Sequence, residues 1–422
     1  MRIQIVWISS CIFLIVGIVR GLFRVNVSWR FLAQYKKDEK YCKLRTDYHN
    51  VAIIIPLYKE QKVVERSVRN FMSLVKQGIH VYYVTAKKET GNRTTKDVLE
   101  EIIAKEGIED RVHIMDCPYK KGVMAHQLNY AINQLGEDMI CFIYNVDSVI
   151  DIRTVNYVLE HKEYLQDGVF QQYPYSERRV ADKIMNSAIY WQNRWAIAFE
   201  LPKAVGAGGR VKLFNFNYVI GHGLVFTKKM YNTFNHFSEK DINEDNILGY
   251  VLNFKKIPIH PIPFLEKIDF AHNVAIYVCQ QETWFNGPLY AFQYFRDLRR
   301  EQASGFSNSR MFLVACLNFR AALNWLAFPI LCIIGMAGLC ITHDFGKLLV
   351  LVLLLFVYVR GVDVVSEKCL CSVLEDDYQR EKRFSVHSFF WLFVHTIGPI
   401  RTLFKVLCGK NNQMNKRKTE KI

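Results

Sequence analysis

The sequence predicts an α/β fold: a mostly parallel, Rossmann-like sheet bracketed by N- and C-terminal transmembrane helices. Three observations predict it. Short apolar runs stop abruptly at polar turns, as in Val51–Leu57 and in Met139–Asp151, which breaks at Asn145-Val146-Asp147-Ser148. A strand that is apolar on both faces suits a parallel sheet covered on both sides. Segments of helical periodicity alternate with these runs, which implies parallel pairing. Finally, the apolar residues crowd toward the two ends of the chain.

Half of the 422 residues are hydrophobic and 23% are charged, with mean hydropathy near zero, so apolar residues are unevenly distributed. The formal net charge is +15. No helix-turn-helix, zinc-finger or basic-aromatic pattern accompanies it, and the cations gather beside apolar spans. That excludes nucleic acid as the expected partner and favours membrane lipids. The eleven cysteines form no CxxC pair, and Cys11, Cys316, Cys332, Cys340 and Cys408 lie in apolar stretches, so a reduced cytosolic domain is expected. Cys369 and Cys371 lie near a span, by chance or as acylation sites.

The elements follow in order. Residues 1–24 form a membrane anchor: Ile3–Val19 is apolar and Arg20, Arg24, Arg30, Lys36 and Lys37 follow it, the reverse of a cleaved signal. Its amino terminus is expected outside; an interfacial helix is the alternative. A basic linker, 25–50, leads to a cytosolic domain, 51–310. There Val51–Leu57 is a strand, and Val63, Val64, Ser67, Val68, Phe71, Met72 and Val75 recur at helical spacing. A strand at His80–Thr85, a helix near Thr95–Lys105 and a strand at Val112–Met115 come next. A helix opening at Lys121-Gly122 delivers the central strand. Trp191 and Trp195 read as core on one helix face, and FNFNYVI reads as a strand before Gly221-His222-Gly223. Residues 311–410 return to the membrane. Met311–Ile341 divides into an interfacial piece broken at Asn318 and Arg320 and a span, Leu323–Ile341; Leu348–Val365 is a return span. His387–Cys408, interrupted by Gly398-Pro399, reads as a re-entrant or interfacial hairpin, and 411–422 as a basic cytosolic tail.

Ligands of such sheets sit beyond the carboxyl ends of the strands, where Asp147 falls. A carboxylate beside an amide and a hydroxyl suits a hard divalent cation, Mg2+ or Mn2+, that shares its shell with substrate phosphates. An Asx or Ser turn is the plainer alternative.

The order of PLYKE after a strand, a lysine before a helix bearing LN, an Asp-x-Asp-like turn, Gly-x-Gly, Glu-Asp and Gln-x-x-x-Trp resembles the family 2 glycosyltransferases. The membrane-embedded branch that includes cellulose, chitin and hyaluronan synthases is the most similar, over roughly Val51–Pro288. The resemblance implies a nucleotide-diphosphosugar transferase (GT-A-like) fold and inverting, metal-dependent transfer. The donor would be a nucleotide-diphosphate sugar, UDP-sugar foremost, and the acceptor a growing polysaccharide or lipid-linked glycan. It implies that Pro56, Tyr58 and Glu60 hold the nucleoside, with Glu89 the nearest acid to the base, and that Lys121 and Gln280 meet the diphosphate. Asp147 is implied as metal ligand, with Asn145 where the family carries the first acid of the pair. Gly221, His222 and Gly223 would lie near the donor sugar and the acceptor end, Trp284 would form the acceptor platform, and Asp245 would be the catalytic base with Glu244 competing. Thr283 stands where the family has arginine, removing a bidentate phosphate fork. Against this stand a single-transfer lipid glycosyltransferase and a catalytically silent sugar-nucleotide sensor. Residue by residue the plainer readings also stand: Lys121 as a solvated helix start, His222 as a packed imidazole, Glu244 and Asp245 as first-turn acids.

Overall fold

The computed structural model describes residues 2–43, 45, 47–119, 122–177, 182–208, 216–301, 308–375, 378 and 387–409. Lys121 and the tail 411–422 fall outside them.

The strands are β1 (Val51–Pro56), β2 (His80–Ala86), β3 (Val112–Cys117), β4 (Ile140–Ile143), β5 (Val169–Gln171), β6 (Pro174–Ser176), β7 (Leu224–Thr227), β8 (Ile259–Pro261) and β9 (Glu266–Ile268). Seven make one sheet in the order β3-β2-β1-β4-β7-β5-β8; β6 and β9 pair separately. All pairs in the large sheet are parallel except those made by β7, which runs against β4 and β5. β1 shows why the apolar runs are continuous. Ala52 and Ile54 face a core that contains Ala125 and Leu128 of the Met124–Gln134 helix, while Ile53 and Ile55 face Val68 and Phe71 of the Val64–Val75 helix. The carboxyl ends of β1 to β4 therefore open on one edge, at Pro56, Ala86, Cys117 and the turn after Ile143.

Among the described residues, three helices are long and apolar enough to cross a membrane: Ile3–Tyr35, Ser309–Ile341 and Phe345–Leu374. The first belongs to a helix that runs on to Tyr35, through the start of the expected linker, because Val25 and Leu32 pack with Ile197 and Leu201. The expected break at Asn318 and Arg320 is absent, and Asn308–Ile341 is one helix. Its buried polar position is satisfied from the globular domain instead: the Asn318 amide donates to Asn246 Oδ1 (3.2 Å) and to the Tyr250 hydroxyl (2.7 Å).

The return span holds a π-helical turn at Val357–Gly361. Such a turn leaves carbonyls without their helical donors. Arg194, 2% exposed, donates Nη1 to the carbonyls of Tyr358 and Val359 (both 3.1 Å) and pairs with fully buried Asp363 at 3.3 Å. His387–Leu407 is a single helix, not the expected hairpin. Gly398-Pro399 does not interrupt it, because Gly398 lets two helices touch: a Cβ there would lie 2.6 Å from Gln281 Cβ and 2.7 Å from the Glu282 nitrogen. Lys405 and Arg401 complete the seam at Glu282. All eleven cysteines are free.

Candidate active site at the carboxyl edge of the sheet

The first wall is the loop after β1. Lys59 adopts a left-handed backbone (φ 56°), uncommon for a side-chain-bearing residue, and its N–H donates to Glu89 Oε2 at 2.9 Å. Glu89, nearly buried, also accepts from Gln61 Nε2 (2.7 Å), the Thr95 N–H (2.8 Å) and the Thr95 hydroxyl (2.9 Å). Its carboxylate thus fixes the loop that carries Tyr58 and Glu60, whose own N–H donates to Thr95 Oγ1 (2.8 Å). The Tyr58 ring is half-buried, with Lys88 Nζ 4.4 Å from its centroid. Lys88 also donates at 2.5 Å to the Gly122 carbonyl, which ties this loop to the segment next to Lys121. Burial pushes the Lys88 ammonium down from its ordinary range. Sequence reasoning missed this cation, although two lysines directly after a parallel strand were its signal.

The end of β2, Thr85-Ala86, lies beside a carboxylate of the neighbouring strand. Thr85 Oγ1 donates at 3.0 Å to Asp116, its register partner on β3, and Asp116 pairs with Lys96 at 3.5 Å.

The second wall is the turn after β4. Asp147 is 7% exposed and accepts from the Asp269 N–H at 3.2 Å; Asn145 beside it is half-buried, and its N–H donates to Ser148 Oγ (3.0 Å). Ser148 in turn donates to Glu266, a fully buried residue of β9. The other Glu266 oxygen lies 2.7 Å from His222 Nδ1. Glu266 thus joins the Asp147 turn to the Gly221–Gly223 turn, and sequence reasoning missed it. Its only signal was a carboxylate in the apolar run IPFLEKI.

The Gly221–Gly223 turn precedes β7, and residues 216–220 before it are not a strand, contrary to expectation; Phe214 and Asn215 lie outside the described residues. Gly223 has φ +66°, and a Cβ there would sit 2.6 Å from the Gln172 carbonyl oxygen, so only glycine fits. A Cβ on Gly221 would lie 3.4 Å from Asp245 Oδ2 and 3.6 Å from Glu244 Oε1. The Glu244–Lys255 helix therefore presents both acids to this turn, with Glu244 buried and Asp245 half-exposed.

Of the Gln280–Trp284 segment, Trp284 is 44% exposed, which takes it out of the core. It lies one turn before Gly287, which packs on the side chain of Asn246, neighbour of Asp245. Gln280 is half-buried, and the Thr283 hydroxyl turns back to the Cys279 carbonyl (3.1 Å).

A divalent cation can be tested against these residues. Among the described residues no cluster of three His, Cys, Asp or Glu side chains forms a cage. The oxygen donors at the β4 end are the Asp147 carboxylate and the Asn145 amide. That set fits a hard cation that draws most of its shell from substrate oxygens and water, not one held by protein alone.

No protein-family model and no curated protein match this sequence. Solved structures do resemble it. The mannosyltransferase PcManGT from Pyrobaculum calidifontis, determined with GDP-Man and Mn2+, matches over 94% of this chain and 100% of its own, at 13% identity and a TM-score of 0.50. TarS 1-349 from S. aureus, determined with UDP-GlcNAc, matches over 86% of this chain and 92% of its own, at 10% identity and a TM-score of 0.41. The likeness is one of fold.

Proposed function

We propose that this protein is a membrane-bound, inverting, metal-dependent glycosyltransferase of the family 2 type. It moves a sugar, hexosyl by the resemblance, from a nucleotide-diphosphate donor to a glycan or lipid-linked acceptor. The observation that carries the reading is the convergence of two carboxylates at one edge of the sheet. The Gly221–Gly223 turn contacts Asp245 on one side and reaches the Asp147 turn through Glu266 on the other. PcManGT, determined with GDP-Man and Mn2+, supports a nucleotide-sugar donor and a divalent metal.

On this reading the loop of Pro56, Tyr58 and Glu60, set by Glu89, takes the nucleoside, and Lys88, with Lys121 by the resemblance, would meet the diphosphate. Asp147 and Asn145 would hold the cation, which supplies charge neutralisation to the departing diphosphate. Asp245 accepts the proton of the acceptor hydroxyl as its oxygen bonds to the anomeric carbon. The bond from that carbon to the diphosphate oxygen breaks in the same displacement, and the diphosphate leaves with the electron pair. One displacement inverts the anomeric centre. Glu266 holds His222 and the glycine turn against this line, and Trp284 gives the acceptor sugar a flat apolar surface.

Arg20 and Arg24 after the first span and Arg296–Arg300 before the second support a cytosolic catalytic domain. The reading is tested by incubating the purified protein with a panel of radiolabelled nucleotide sugars, Mg2+ or Mn2+ and membrane lipid extract. Label passing to the extract with release of nucleoside diphosphate is expected for at least one donor. Donor binding with no release would establish the silent sensor instead.

A further inference from the structure

Cations from three separate elements meet at the cytosolic end of the first span. The first and second spanning helices run antiparallel: a Cβ on Gly338 would lie 3.3 Å from Ile3 and one on Gly335 3.6 Å from Val6. Carried along both helices at the same rise, that register sets Arg320 level with Arg20 and Arg24. The Leu201–Ala207 helix adds Lys203. Ser28 Oγ donates to the Ile197 carbonyl (2.7 Å), and Val25 shares a core with Leu201 and Ala204, so Lys203 lies beside the Arg24 turn. Lys203 interacts electrostatically with Arg24, Arg20 and Arg320, and burial together with these neighbours pushes its ammonium down to about 8, against the pull of Glu200.

This cluster adjoins the candidate active site. Lys203 Nζ lies 5.4 Å from the Tyr218 ring centroid, and the Tyr218 hydroxyl donates to Glu200. Tyr218 packs on Gly249, where a Cβ would approach its Cβ to 2.7 Å, one helical turn after Asp245 and on the same face. One aromatic side chain therefore separates Lys203 from the face that bears the proposed base. Cations that only orient a span reach outward to water and headgroups. Here like charges from three elements crowd one point, Arg20 and Arg320 acting on Arg24 and all three on Lys203. The apolar side chains next along the same helices, Val16, Val19 and Leu323, are exposed at 56%, 64% and 49%.

Resting on the sugar-transfer reading, we infer that Arg20, Arg24, Lys203 and Arg320 bind the phosphate of a lipid-linked acceptor, whose tail lies along Val16, Val19 and Leu323 and whose hydroxyl reaches Asp245. The shape of the site argues for an amphiphile: an anion at the cations, an apolar track leading into the bilayer, and a carboxylate on the other side of Tyr218.

The test is binding, so it does not depend on turnover. Full-length protein in neutral detergent is titrated with farnesyl phosphate, farnesol and inorganic phosphate. Farnesyl phosphate is expected to bind at least about tenfold more tightly than farnesol, the worth of one charge-assisted contact. Arg24→Gln with Lys203→Gln should remove that preference while the variant still binds the nucleoside diphosphate that wild type binds. Lys203→Arg, which keeps the charge, should retain it, so that loss in the glutamine variant is not unfolding. Equal binding of alcohol and phosphate, or a preference that survives the double variant, would overturn the inference. So would displacement of farnesyl phosphate by an equal concentration of inorganic phosphate, which would make this a free-anion site. If no donor supports transfer yet the lipid-phosphate preference holds, the transferase reading fails and this site stands.

Discussion

At the scale of single residues, the choice between Asp245 and Glu244 turns on exposure. Both face Gly221, but Glu244 is 4% exposed and Asp245 is open enough to meet an acceptor. Asp245→Asn keeps shape and hydrogen bonding and removes basicity, so turnover should fall by roughly a hundredfold to ten-thousandfold. Donor binding and melting temperature should stay near wild type; a variant with normal turnover would return Asp245 to helix capping. The positions of Asp147, Asp245 and Trp284 were legible in the sequence because motif order marks them, while the roles given to them are proposals. Glu266 and Asp116 were not, because each acts on a neighbouring strand or turn that only the folded chain brings close: Asp116 stands across the β2–β3 ladder from Thr85, and Glu266 joins Ser148 to His222. Glu89 was found as the nearest acid, but its four hydrogen bonds to the β1 loop and to Thr95 set it to holding that loop.

At the scale of elements, β1 to β4 and the helices between them were readable from periodicity, since each buries an apolar pattern of its own. In contrast, β5, β7 and β8 were not singled out, and FNFNYVI, read as a strand, is not one over residues 216–220. The membrane helices were readable in existence but not in extent. Asn318 and Gly398-Pro399 look like breaks in isolation, and both are absorbed by contacts with partner helices: Asn318 by Asn246 and Tyr250, Gly398 by the Gln281–Glu282 backbone. The π-turn in the return span is a further case. Its freed carbonyls and Asp363 receive Arg194, and no local signal announces that pairing. Removing one partner strands the other in a buried site, so Arg194→Met should cost about 3–5 kcal/mol. Arg194→Met with Asp363→Leu should recover much of that loss. Denaturation in detergent measures both, and a single variant as stable as wild type would show that the pair does not fasten this helix.

At the scale of the whole molecule, the spans and the sheet edge are one arrangement. The second span carries Asn318 onto Asn246, beside Asp245, and the first lays Arg20 and Arg24 next to Lys203. On the proposed reading, chemistry held this close to two candidate membrane helices would be performed at the bilayer surface, on the side where the donor is made. Cysteines introduced at Lys87 and Lys105 should be labelled only by reagents that enter the cytosol, and labelling from outside intact cells would reverse the topology. The central claim, sugar transfer across Asp147 and Asp245, is tested most directly by one assay: transfer of label from the active nucleotide sugar to lipid extract, with and without chelator, for wild type and Asp147→Ala. The account predicts transfer by wild type that is abolished by chelation, restored by Mg2+ or Mn2+, and absent in Asp147→Ala while the variant remains folded. Full transfer by Asp147→Ala, or by wild type in chelator, would contradict it.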